Sequence, residues 1–272
     1  MPQNNQHARP VVDWLTAVAL AAMAISLTIA FHEGVHALTC VAFGGDLQEY
    51  SALHVSCELN IPWQEKVKAG SASVANLILG FIFLVLLRRS HQQSTERQFF
   101  FWLFMLTNWL NGAGYWMLSG VGNFGDWANV IAGWQPLWLW RLVMALGGTG
   151  VYAFLVWLAL RELGKIIGGD ANEQIGRAVR LGLIGYGSAV LVILLAGLFN
   201  PYGMASSPVV GGTMAVVFGL SPLLWMMQWF RAASFAKPPR PALEIHRKWG
   251  WVVTGGVVVL LYIFVLGPTL YF

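Results

Sequence analysis

Long apolar runs alternate with short polar segments along the whole chain. The first run, from Val11 to Phe43, is almost unbroken. As a helix it would extend roughly 50 Å at 1.5 Å per residue, more than the ~30 Å a bilayer core needs. Such a helix is expected to tilt or break, with Pro10 able to start it and the pair Gly44-Gly45 ending it. Asp46 to Lys68 is polar. Its middle, LQEYSALHVSCEL, alternates and is rich in β-formers, which predicts a short strand or hairpin closed by Pro62.

Six further apolar runs follow. The second span is expected over about 69–87, opening with the small residues AGSASVAN. The third covers about 99–118 and contains Asn108, Asn111, Gly112 and Gly114, which weaken a simple spanning helix. After it comes SGVGNFGDWANVIAG, holding Asp126. Spans four to seven are expected over about 137–160, 181–199, 209–230 and 251–271, with Pro222 as a kink in the sixth. The pattern predicts an all-α polytopic bundle of about seven transmembrane helices in one membrane domain. The first 135 residues or so hold the chemistry, and residues 137–272 add further spans.

Composition agrees with the pattern. The chain is 57% hydrophobic and only 10% charged over 272 residues, against about 25% charged in soluble domains. Fourteen tryptophans and thirty glycines suit interfacial anchoring and close helix packing. Trp134, Trp138 and Trp140 read as an interfacial belt. The net charge of +4 gives no sign of nucleic-acid binding, because the basic residues sit at span ends. No cleavable signal peptide is expected, since the first run is too long for one. The two cysteines imply no disulfide framework, and Cys40 reads as a buried free thiol.

Charge also orients the chain. The N-terminus and the loops after spans two, four and six carry Arg9, Arg88, Arg89, Arg97, Arg161, Lys165, Arg177, Arg180, Arg231, Lys237, Arg240, Arg247 and Lys248. The other side carries Lys66, Lys68 and Arg141. The richer side is expected to be cytoplasmic, which fits a multi-pass protein of a prokaryotic cell membrane with its N-terminus inside. The end of span one and the Asp126 loop then share the opposite side.

The chemistry lies in FHEGVHALTC, residues 31–40. His32 and His36 are four apart, so a helix puts them on one face, where they can grip one metal ion. Glu33 beside them can take a proton from water that the metal activates. A chance match to this pattern is expected on the order of 0.005 times per chain, and ionisable groups in apolar spans are costly enough to be functional by default. A catalytic zinc takes three protein ligands and keeps one position open. Asp126 is the favoured third ligand, weighed against an ordinary aspartate capping a helix from Trp127. Cys40 lies a turn too far along the axis. His54 and Glu58 read as loop or substrate-facing residues, and Asp46 as turn chemistry. Asn76 is a candidate for positioning substrate, weighed against interhelical hydrogen bonding, which is favoured for Asn108 and Asn111.

These segments resemble the site-2 protease class of intramembrane zinc metallopeptidases. FHEGVHAL resembles that family's zinc helix, FGGDLQEYSALHV its membrane-associated strand region, and AGSASVANLILG its small-residue motif ending in Asn. SGVGNFGDWANV stands where the family's third-ligand aspartate lies. The likeness covers roughly the first half of the chain. Ala72-Ser73 replace a usual Gly-Pro, and Gly125-Asp126-Trp127 replace a proline-preceded Leu-Asp-Gly, as in a divergent member. The resemblance implies a Zn2+ held by His32, His36 and Asp126, Glu33 as general base, and a membrane-anchored protein as substrate. Two other functions use the same residues: a zinc hydrolase acting on lipid amides, and a catalytically silent metal-binding scaffold or transporter. An intact Glu33 speaks against silence, and a transporter would more often show repeat-related broken helices.

Overall fold

The computed structural model describes residues 11–90, 95–169, 171–229 and 241–272. Pro10, Arg9, Arg231, Lys237 and Arg240 lie outside the described residues. The protein is a helical bundle carrying one small sheet. Helix α1, Trp14–Ala42, is continuous. It starts at Asp13, whose side chain accepts hydrogen bonds from the Thr16 N–H and hydroxyl, as an N-cap does. Gly44 follows its end with φ of 71°, a left-handed turn that glycine adopts at no steric cost.

The turn sends the chain back as a hairpin. Strand β1, Asp46–Tyr50, pairs antiparallel with β2, Val55–Glu58. This return overturns the expectation for the cysteines. Cys57 on β2 is bonded to Cys40 on α1, with the Cα atoms 6.2 Å apart. The register explains it: Cys57 lies opposite Leu47, beside the helix end that the glycine turn has just left. A spacing of 17 residues carries no such information without the direction of the turn.

Helix α2, Pro62–Arg89, and helix α3, Thr95–Gly122, follow. Helix α3 is unbroken and lies at the centre, with Trp102, Leu103, Met105, Leu106, Trp109 and Leu110 fully buried. The residues expected to weaken it face inward instead. Asn108 bonds across to other helices, and a Cβ on Gly112 would lie 2.7 Å from the Ser73 carbonyl of α2. Gly112 is thus what lets α2 and α3 touch. Six segments among the described residues are long and apolar enough to cross a membrane. Helix α3 is not among them by composition, and much of its surface is buried against other helices.

A short helix α4, Asp126–Ile131, precedes α5, Leu137–Ile166, and α6, Ala171–Leu198. The sixth span is two helices, α7, Ser207–Gly219, and α8, Pro222–Trp229. Pro222 opens the second rather than bending one helix. The carbonyls near the break accept from the hydroxyls of Tyr152 (to Gly219) and Tyr186 (to Val217), the compensation a broken span needs. Helix α9, Trp249–Leu261, runs into a π-helical turn, Tyr262–Leu266. The last residues were expected to stay helical. They form β3, Leu270–Tyr271, which pairs with β1, so the sheet order is β2-β1-β3.

Helix α1 packs against α2, α3, α6 and α9, so N- and C-terminal spans interlock. One end of the bundle is tied by ion pairs: Arg88 and Lys165 to the buried Glu162, Lys248 to Glu96, and Arg247 to Asp13. The sheet, the disulfide and the end of α1 lie at the other.

Candidate metal centre

His32 and His36 stand one turn apart on α1, and both are buried. The small residues of α2 (Ala69, Gly70, Ala72 and Ser73) let it run close beside them. Each histidine is held at Nδ1. His32 Nδ1 lies 3.0 Å from Asn76 Oδ1, and His36 Nδ1 lies 2.9 Å from the Lys68 carbonyl. A carbonyl only accepts, so His36 Nδ1 carries the proton. The Asn76 amide nitrogen donates to Asn108 Oδ1 at 2.8 Å, which turns its oxygen toward His32 and makes that Nδ1 a donor too. Both Nε2 atoms are left as lone pairs, the form that binds a metal.

Both lone pairs meet one carboxylate. Asp126 Oδ2 lies 3.1 Å from His32 Nε2 and 3.3 Å from His36 Nε2. A tetrahedral ion with bonds of about 2.1 Å has ligand–ligand edges of about 3.4 Å, so these two spacings suit a shared ion. The three ligand atoms lie within 4.8 Å of one another. His32, His36 and Asp126 can therefore hold a metal ion.

Asp126 is delivered by a local device. It is the first residue of α4, after Gly125 with φ of 80°. The N-cap position is taken by Gly125, and one oxygen of Asp126, Oδ2, faces both histidines. The other end of α4 is fixed by Lys66 of α2, whose Nζ donates to the Val130 and Ala132 carbonyls and lies over Trp134, 5.6 Å from the ring centroid. Cations at a helix C-terminus are stabilising.

Glu33 sits beside the cluster on the wall of a cavity of about 900 Å³, shared with His36, Asp126, Tyr115, His54 and Gly212. His54 lines the cavity but pairs with Glu49, at 3.0 Å, instead of joining the cluster. Glu58 is exposed at the end of β2, and Asp46 opens β1. Cys40 is engaged in the disulfide.

Asn76 is fully buried and stands behind His32, bonded at both ends of its amide. Asn108 continues the chain of bonds to Thr28 Oγ1, at 3.1 Å, and to the Phe104 carbonyl. Asn111 is buried, and its amide nitrogen has no hydrogen-bond partner among the described residues. Tyr115, Lys66 and the Lys68 carbonyl escaped the reading of the sequence. Tyr115 had a signal: it lies seven residues after Asn108 and four after Asn111, on the same face of α3.

Comparison with known proteins returned no match: no family model, no curated protein and no solved structure matches the chain.

Proposed function

We propose that this protein is a zinc metallopeptidase that hydrolyses peptide bonds in or beside the spans of membrane-anchored proteins. The observation that carries the reading is the placement of Glu33 on a cavity wall beside His32, His36 and Asp126, with both histidines anchored through Nδ1. Two imidazoles and one carboxylate form a donor set that zinc accepts while keeping a position open. When bound, zinc polarises a carbonyl and eases deprotonation of water.

The residues supply the rest. Glu33 takes a proton from the attacking water as the O–C bond forms. It returns that proton to the amine nitrogen as the C–N bond breaks, leaving a carboxylic acid and an amine, between which the acid's proton passes to give a carboxylate and an ammonium. Asn76 keeps His32 in its binding tautomer, a role behind the metal in place of contact with substrate. The substrate enters as unwound backbone, because a helix hides its carbonyls in its own hydrogen bonds. The Cys40–Cys57 bond and the basic residues tied at the opposite end support a site facing the oxidising, non-cytoplasmic side, with the N-terminus inside.

The test is Glu33→Gln in the full chain, assayed on a fluorogenic transmembrane peptide in liposomes. The variant is expected to keep its zinc and lose cleavage by at least about 10²-fold. Undiminished cleavage refutes the mechanism.

A further inference from the structure

We infer that the Tyr115 hydroxyl is the hydrogen-bond donor that meets the substrate carbonyl oxygen as it gains charge, an assignment resting on the hydrolase reading above. The ring is fixed from two sides. It stacks on His32 with centroids 5.0 Å apart and planes 10° from parallel. On its other edge, a Cβ on Gly125 would lie 3.3 Å from Tyr115 Cδ1, so the turn that delivers Asp126 closes against it. The residue therefore lies between one metal ligand and the turn leading to another, and it lines the same cavity as Glu33.

The hydroxyl is what separates Tyr115 from the other tyrosines. The chain has seven. Tyr50, Tyr152, Tyr186 and Tyr262 donate to the carbonyls of Ala30, Gly219, Val217 and Ala52, and Tyr202 donates to Glu49. Tyr271 is exposed at the sheet edge. Tyr115 is half-buried, yet its hydroxyl bonds to none of the described residues. A phenol held rigidly in a cavity with a free O–H has a donor to offer whatever occupies that cavity.

The chemistry needs such a donor. As water adds to the carbonyl carbon, the π pair moves onto oxygen. A preplaced donor at that oxygen stabilises the charge without reorganising, and its loss typically lowers kcat by about 10²–10³-fold. Tyr115 keeps its proton throughout, and the proton that moves is the one Glu33 carries.

The experiment uses the full chain in detergent, loaded with cobalt(II) and titrated with N-phosphoryl-leucinamide. The tetrahedral phosphoryl oxygens of this probe stand in for the developing charge. Tyr115→Phe retains the ring on His32 and removes only the hydroxyl. Bound cobalt and its visible spectrum should be unchanged, while the probe's Kd rises at least tenfold. Tyr262→Phe, which removes a hydroxyl already spent on Ala52, should leave that Kd within twofold. Equal probe affinity in wild type and Tyr115→Phe overturns the inference. So does cobalt loss in Tyr115→Phe, which would make the ring a mere support for the ligands, or a cobalt-loaded wild type that takes no probe. A wild type that binds no cobalt refutes the proposed function itself, and this inference with it.

Discussion

His32 Nε2 lies 3.1 Å from Asp126 Oδ2, although 94 residues separate the two in sequence. That contact requires α1, α2, α3 and the α3–α4 turn to be in place together. The candidate metal cluster is thus a product of the bundle, and residues outside His32, His36 and Asp126 can weaken it.

Asn76 is the first such case. Asn76→Ala removes the acceptor that holds His32 Nδ1 and leaves the Asn108 oxygen without its donor. Metal affinity is expected to fall about 10–100-fold, read by competition with a chelating dye. Asn76→Asp keeps an acceptor toward His32 and should lose less. Unchanged affinity in Asn76→Ala would contradict the orienting role.

The disulfide makes a separate prediction about stability. Closing a loop of 17 residues contributes about 3 kcal/mol by restricting the unfolded chain. Reductant should lower the stability of the wild type in denaturant titrations, and it should have no effect on the double variant Cys40→Ser/Cys57→Ser. Two reactive thiols in protein taken from an oxidising compartment would contradict the pairing.

Glu49 predicts a pH dependence. Its carboxylate joins β1 to the turn after α6, accepting from the Tyr202 hydroxyl and pairing with His54. The Tyr202 hydrogen bond, and then that of His54, hold the Glu49 carboxyl below the ordinary value of 4.5. The folded state therefore favours the charged form. The stabilisation is fully present above pH 4.5 and is lost as pH falls through the lower folded value. The Tm advantage of wild type over Glu49→Gln should be constant from pH 7 to about 5 and shrink below 4.5. An advantage that persists unchanged at pH 3 would contradict the assignment.

Much of this was legible in the residues. The apolar runs mark the spans because lipid demands uniform apolarity, and the alternation after Gly45 marks the hairpin. His32 and His36 declare themselves by a four-residue spacing, and Asp126 stands out as an acid in a small-residue stretch. What stayed hidden depends on long-range approach. The bond from Cys57 to Cys40 follows from the direction of one glycine turn. The pairing of Leu270 and Tyr271 with β1 follows from where α9 ends. Asparagines and glycines weaken a helix that faces lipid, but Asn108 and Gly112 of α3 face neighbouring helices. The stacking of Tyr115 on His32 follows from the packing of α1 against α3, which no local pattern encodes.

The most direct measurement is the zinc content of the purified full chain, compared between wild type and Asp126→Ala by elemental analysis. One zinc per wild-type chain is expected, and less than about a tenth of that in the variant, since two histidines alone bind a dialysable ion weakly. A wild type without zinc, or an Asp126→Ala protein that keeps a full equivalent, would contradict a zinc site built from His32, His36 and Asp126.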